Sequence, residues 1–334
     1  MYHFAIIGCG RIATRHAENI SRVGKLVAVC DLDPEKAAAF ARDYGVKAYS
    51  SVDEMLKAES EIEVVSICSP NGYHAEHSIK CLQAGKNVLC EKPLCLTSAA
   101  AWQIIETEKF SRKQLFVVKS VRFNPLLRKL RELVTANALG QVYSFQMHYF
   151  WNRPISYFND WHGKLFPDGG TLYTQFSHYV DALLWLFGDI EQVRGFTSNL
   201  AHGTSLEFED TGAVALQMKQ GMLGTLNWSV NTFQKNYEIG LTIIAEKATI
   251  AIGGEYLNEV KSIISDGGIS LEDEAAEDST ATVAKPSMSF HQQIYEELVQ
   301  ALGKKENGFP NAFDGLKTVE AIEKIYKAVQ TPAS

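Results

Sequence analysis

The chain has no apolar run long enough to cross a bilayer. Ala182-Leu183-Leu184-Trp185-Leu186-Phe187 is far shorter than the roughly twenty residues a spanning helix needs. It also lacks a basic surplus: 32 Lys and Arg stand against 39 Asp and Glu, a formal net charge of −7. Nucleic acid and anionic membranes are therefore not expected partners. The start, Met1-Tyr2-His3-Phe4-Ala5-Ile6-Ile7-Gly8, enters a strand at once, without the charged segment and apolar stretch of a secretory signal, so a cytoplasmic location is expected. The six cysteines (9, 30, 68, 81, 90 and 95) all fall in the first third and lack paired C-x-x-C spacing, which argues against a structural metal site. They read as reduced, buried thiols that form no disulfide. His74 and His77 form an i, i+3 pair without further ligands, a helix-surface pattern rather than a metal site. No internal repeat is present.

What the chain does have is a rhythm. Its 334 residues exceed the size at which a single core stops growing, so two domains are expected. Strand-like runs at 4–8, 26–31, 64–69, 87–90 and 115–119 alternate with amphipathic helical patterns, the signature of a doubly wound parallel sheet. Past residue 122 the pattern changes to a helix at 125–137 and a strand at 141–151. A helix at 169–187 and then runs at 191–198, 211–219, 222–230, 237–245 and 247–252 follow. Turn signals such as Gln220-Gly221 predict an antiparallel sheet there, giving an α+β domain. The acidic, Gly/Ser/Thr/Ala-rich stretch 265–285 reads as a solvent-facing excursion, and helices at 288–303 and 314–329 close the chain. The expected fold is α/β: a Rossmann domain over 1–122 and, over 123–334, an α+β domain with a large, open, mainly antiparallel sheet.

Ile6-Ile7-Gly8-Cys9-Gly10-Arg11-Ile12-Ala13 is G-x-G-x-x-A between a strand and a helix. Gly8 permits the turn, Gly10 lets backbone approach a pyrophosphate, and the helix N-terminus opened by Arg11 and Ile12 binds phosphate. Alone, such a turn can be merely structural. Here the second strand ends in Asp31, where a carboxylate accepts hydrogen bonds from an adenosine ribose. Asp31 repels a 2′-phosphate and Leu32-Asp33-Pro34 offers no arginine to bind one, which favours NAD over NADP. Lys92, between Glu91 and Pro93 at the end of Asn87-Val88-Leu89-Cys90, stands at the ligand-facing edge of the same sheet, where a solvated surface lysine is the alternative.

With Gly8-Cys9-Gly10, Asp31, Cys68-Ser69-Pro70-Asn71, Glu91-Lys92-Pro93, Val121-Arg122-Phe123-Asn124-Pro125 and the Gly169-Gly170 helix carrying His178 and Asp181, the chain resembles the Gfo/Idh/MocA oxidoreductases along essentially its whole length. The resemblance implies an NAD(P)-dependent enzyme that oxidises a sugar or cyclitol held between a Rossmann domain and an open-sheet domain. It also implies a homodimer or homotetramer, with Lys92 orienting nicotinamide and substrate and His178 transferring the proton. Ser69, Asn71, His74 and Glu91 are carried with Gly8, Gly10, Arg11, Ile12, Asp31 and Lys92 to the cofactor. Arg122, Asn124, Tyr149, Trp161, Thr174, Gln175 and His178 are carried to the substrate. Thr174 departs from the family, many members having an aspartate there; a threonine only hydrogen-bonds, which leaves proton transfer to His178 and Lys92.

Thr174, His178 and Asp181 fall on one helical face, opposite an apolar stripe of Leu172, Phe176, Val180, Leu183 and Phe187. Asp181 either orients His178 or bonds backbone. Tyr149, Trp151 and Trp161 either stack on a sugar or cap a sheet. Thr174-Gln175, Trp151-Asn152-Arg153-Pro154 and Trp161-His162-Gly163 look similar to dehydrogenases acting on the 3-hydroxyl of UDP-N-acetyl-glucosaminuronate. Two other functions compete: an NAD-dependent glycosidase of the same fold, using transient oxidation and elimination, and a non-catalytic NAD-binding regulator.

Overall fold

The computed structural model describes residues 1–271, 290–304 and 308–330, and the chain forms two compact units. Most of the acidic stretch, 272–285, lies outside the described residues.

The first unit comprises Met1–Ser120, Phe166–Gly169 and Ser289–Glu320. Its six parallel strands are β1 (Tyr2–Ile7), β2 (Gly24–Cys30), β3 (Lys47–Tyr49), β4 (Val64–Ile67), β5 (Asn87–Cys90) and β6 (Leu115–Val117), in the order β3-β2-β1-β4-β5-β6. This is the doubly wound arrangement, with its switch in strand direction of progression at β1/β4. The central strands are mostly apolar, as burial on both faces demands: every residue of β4 is buried, and its one polar side chain, Ser66, is hydrogen-bonded. Register brings their ends into line, with Ile7 opposite both Cys30 and Ile67, and Ile67 opposite Cys90. Gly8, Asp31, Cys68 and Glu91 each follow one of those residues, so the strand register alone lines four motif segments along one sheet edge.

The chain returns to this unit through the helix His291–Ala301, whose Ile294, Tyr295 and Leu298 are fully buried, with the Tyr295 ring 5.8 Å from that of Phe4. The expected division at 122/123 therefore falls near the observed one at Ser120/Val121 but omits this return. The physical reason is that a strand buried on both faces needs helical cover, and the remote helix supplies part of it for β1.

The second unit comprises Val121–Leu165, Gly170–Met288 and Ala321–Ser334. It holds a seven-stranded sheet of β7 (Val142–Phe150), β8 (Ile190–Ser198), β9 (Thr211–Met218), β10 (Leu223–Ser229), β11 (Glu238–Ala245), β12 (Ala248–Gly253) and β13 (Glu259–Ser265), in the order β13-β12-β11-β7-β10-β9-β8. All neighbours are antiparallel except β7 and β10. Strands β9 and β10 alternate buried and exposed residues, the mark of a sheet covered on one face. The helix Ser177–Phe187 lies against the covered face: Phe187 stacks on Phe145 at 4.9 Å, and Tyr149 meets Tyr179 at 5.6 Å.

Candidate active site

Gly8 turns with φ +93°, and a Cβ there would lie 2.5 Å from the backbone nitrogen of Ser69. Only glycine lets the turn after β1 and the loop after β4 approach so closely. Gly10, which opens the helix Arg11–Val23, has nothing within 4 Å of where its Cβ would be. That helix start has no side-chain cap and no acidic residue in its first turn. Such a start suits an anion. Asp31 Oδ2 accepts from Cys9 N at 2.7 Å and Oδ1 from Asp33 N at 2.9 Å, which fixes the carboxylate at the end of β2. A dinucleotide fits these residues: Gly10, Arg11 and Ile12 would hold its pyrophosphate and Asp31 its ribose. Burial pushes the neighbouring Cys9 and Cys30 thiols up, to about 12 and about 11, so both stay protonated. All six cysteines are free.

The segment after β5 is braced from two sides. The Glu91 carboxylate is buried, its Oε1 accepting from His16 Nε2 at 3.0 Å and His291 Nε2 at 3.2 Å, its Oε2 from the backbone N–H of Lys92 at 3.1 Å. The other nitrogen of His16 lies 2.7 Å from the Tyr295 hydroxyl, which meets Ser66 Oγ at 2.7 Å. Burial disfavours the Glu91 charge, yet the two imidazole donors overcome it and hold the carboxyl well below its usual range; burial pushes His16 down as well. The pair is thus a carboxylate beside a neutral imidazole. The ligand atoms of His16, Glu91 and His291 lie within 4.8 Å of one another, close enough for an ion, but the donor and acceptor geometry given above already employs them in hydrogen bonds.

On the far side of the turn, His74 is buried, with Nδ1 2.6 Å from Pro93 O and Nε2 2.7 Å from Ser69 O. It ties the Glu91-Lys92-Pro93 turn, whose Lys92–Pro93 peptide is cis, to the loop after β4. Ser69 Oγ meets His77 Nδ1 at 2.9 Å, and Asn71 Nδ2 donates to Asp168 O at 2.8 Å. Ser69, His74, Glu91 and Lys92 are therefore brought together, with Lys92 half-buried between the two braces. His74 and Glu91 act on its backbone, a role that sequence reasoning did not separate from direct cofactor contact. His16 was missed, although it sits on the buried stripe of Ala13, Ala17 and Ile20 and could have been found there. His291 and Tyr295 carry no local signal.

In the second unit, Gly170 (φ +128°) admits the Tyr326 hydroxyl, which would lie 2.3 Å from a Cβ. That hydroxyl accepts from Leu172 N at 3.0 Å and donates to Glu209 Oε1 at 2.8 Å, fixing the start of the next turn. Leu172–Phe176 forms a π-type turn before the α-helix begins at Ser177, instead of the continuous helix expected over 169–187. Wide turns of this kind recur at functional sites. Both sides of the helix are buried: His178 is 8% exposed and Thr174 9%, alongside Leu172, Phe176, Val180 and Leu183.

Asp181 pairs with Arg122 through both carboxylate oxygens, at 2.8 Å from Nε and 2.8 Å from Nη2. Asn124 caps the helix Pro125–Thr135, accepting from Leu126 N and Leu127 N, and donates to Leu257 O at 3.1 Å. Tyr149 has no exposed surface and packs against Trp151, Phe176 and Tyr179, so its ring belongs to the core. Trp161 stacks on His162 at 3.8 Å and is half-buried. Gln175 accepts from Arg153 and donates to the Tyr157 hydroxyl at 2.6 Å.

Residues 2–119 match the family described as "Oxidoreductase family, NAD-binding Rossmann fold", and residues 127–251 match the "GFO/IDH/MocA C-terminal domain". The chain is similar to the WlbA dehydrogenase of Chromobacterium violaceum, solved in complex with NADH and UDP-GlcNAcA. The likeness is 31% identity over 98% of this chain and 94% of that one, with a TM-score of 0.90. It is 28% identical to an inositol 2-dehydrogenase of Rubrobacter xylanophilus over 74% of this chain and 70% of that protein. It is 32% identical to the D-glucoside 3-dehydrogenase of Escherichia coli over 55% of this chain and 53% of that protein. The two family matches, the dinucleotide cradle at Gly8, Gly10 and Asp31, and the strand-end Lys92 agree: the chain belongs to the Gfo/Idh/MocA family of NAD-binding oxidoreductases.

Proposed function

We propose that this protein oxidises the 3-hydroxyl of a UDP-linked N-acetyl-hexuronate to a ketone, with NAD as the oxidant. The observation that carries the reading is the likeness to the WlbA dehydrogenase, which runs through both units at a TM-score of 0.90. The D-glucoside 3-dehydrogenase supports the same carbon. The relatives reported above are dehydrogenases, and no observation favours the glycosidase or the regulator.

Bound NAD supplies the hydride acceptor. The chain must then remove the hydroxyl proton, which needs a base that titrates near neutrality or is brought there. His178 is the base in this reading, since an imidazole needs little adjustment. Lys92 orients the reacting groups and favours the alkoxide by its charge; Glu91 and His74 hold its backbone still. Thr174 hydrogen-bonds and takes no proton.

We also infer a homo-oligomer that covers the bare sheet face. Ile264, Ile244 and Leu223 are 69%, 47% and 59% exposed, and they share one row through the register of Ile264 with Thr249, Thr249 with Ile244, and Ser144 with both Ile244 and Leu223. Exposed aliphatic side chains in one row support that reading. A cytoplasmic location belongs to the same reading, as the compartment of NAD-linked sugar chemistry; among the described residues no helix is long and apolar enough to cross a membrane.

The test is a substrate carrying deuterium at C3. Incubation of UDP-N-acetyl-glucosaminuronate with NAD should accumulate deuterated NADH and the 3-keto sugar. Release of UDP with the NAD level unchanged would mean elimination and hydrolysis, and the proposal would be lost.

A further inference from the structure

Arg153 carries a charge that its surroundings do not match. Its guanidinium lies over the rings of Trp151 and Tyr157, 4.8 and 5.1 Å from their centroids. Nε and Nη2 both donate to Gln175 Oε1, at 3.0 and 2.7 Å, while Nη1 donates to Asn152 O at 2.8 Å and to Asn236 Oδ1 at 3.5 Å. Each of these acceptors is neutral, and among the described residues no carboxylate lies within ion-pairing distance of Arg153. The residue is half-buried, as are Tyr157 and Gln175, so part of its hydration has been exchanged for aromatic faces and amide oxygens. A desolvated cation is ordinarily matched by an anion. The same unit shows what that match looks like at Arg122, held by both oxygens of Asp181.

The shape of the site indicates the kind of anion. The Nε and Nη2 side of the fork, which carboxylates take up in bidentate pairs, is occupied by an amide oxygen. A side-chain amide is the neutral isostere of a carboxylate, planar and trigonal, whereas phosphate is tetrahedral. Gln175 also belongs to the π-type turn that leads into the helix bearing His178, so a ligand group drawn to Arg153 is held beside the stretch that carries the proposed base. We propose that Arg153, with Gln175 and Tyr157, is the recognition site for the carboxylate of a sugar acid and selects a hexuronate over the neutral hexose. This inference rests on the function proposed above for the identity of the sugar, and the geometry of Arg153 supplies the charge preference.

Titration calorimetry on the NAD-loaded protein tests it with three ligands: UDP-N-acetyl-glucosaminuronate, UDP-N-acetylglucosamine, and free N-acetyl-glucosaminuronate. The first carries carboxylate and diphosphate, the second diphosphate alone, the third carboxylate alone. The wild type should bind the first about 10- to 100-fold more tightly than the second, the range expected for hydrogen bonds to a charged group. Arg153→Met should remove that preference and weaken the third ligand while changing the second less than about threefold. Gln175→Glu places an internal carboxylate on the fork, and should abolish the preference without loss of the Arg153 packing. It therefore serves if Arg153→Met does not fold. Equal affinity of the wild type for the first two ligands would overturn the proposal. So would a preference that survives both substitutions, or a loss on Arg153→Met that is the same for the first two ligands, which would mark a diphosphate contact. Arg153-dependent carboxylate preference without NADH formation would instead defeat the proposed function and leave this site standing. NADH formation with a preference indifferent to Arg153 would do the reverse.

Discussion

At the residue scale, the turn that carries Lys92 is held from several sides. Glu91 and His74 hold the backbone on either side of Lys92, and His16 and His291 hold Glu91. The sequence made Lys92 visible because strand end and proline coincide there; it left the braces unseen because His16, Glu91 and His291 are distant in the chain. Their protonation has a thermodynamic consequence. His77 is pushed down to about 4, chiefly by burial, and His16 is lowered for the same reason. A histidine whose folded value lies below its unfolded value of about 6.5 is neutral in the native state, while the unfolded chain takes up a proton first. Its stability contribution is fully present above about pH 6.5 and is lost as pH falls toward the folded value. Glu91, also depressed in the fold, adds a loss that sets in at lower pH, below the ordinary carboxylate value. Urea unfolding measured between pH 7 and 4.5 should thus show stability falling with acid, by up to about 1.4 kcal/mol per pH unit for each such histidine. In His77→Gln the slope should be shallower; an unchanged slope would show that His77 titrates alike in both states.

At the scale of elements, the strands with long apolar or alternating runs were legible. Those without were not: β3 (Lys47–Tyr49) is three residues long with no buried position, and β13 (Glu259–Ser265) has no buried residue either. Both pair at sheet edges, where the neighbouring strand rather than their own composition makes them strands. The π-type turn at Leu172–Phe176 was illegible for a related reason. Its sequence suits an α-helix, and the wider turn occurs where Tyr326 and Glu209 hold the chain at Gly170 to Leu172. Motifs also name a residue without its task. Asn124, carried over as a substrate residue, is the N-cap of Pro125–Thr135 and bonds Leu257 O across the unit. Asn124→Ala should cost roughly 1–2 kcal/mol, the loss of a cap, visible as a lowered denaturation midpoint. The folded variant should keep its KM for the sugar. A raised KM with unaltered stability would return Asn124 to the substrate.

At the scale of the whole molecule, the two-domain reading followed from length and from the change in rhythm near residue 122. The return of helix His291–Ala301 to the first unit did not, because an amphipathic helix declares that it has an apolar stripe and not which sheet receives it. The family followed from motifs spread over both units, and we propose that Lys92 and His178 carry the proton chemistry. That assignment is the central claim, and steady-state NADH formation tests it most directly when wild type, Lys92→Ala and His178→Ala are compared with UDP-N-acetyl-glucosaminuronate, NAD affinity being measured in parallel by calorimetry. The account predicts a fall in kcat of about 10²- to 10⁴-fold for each variant, the usual worth of a positioned acid–base group, with NAD still bound. Turnover at the wild-type rate in both variants, with NAD bound as before, would contradict it.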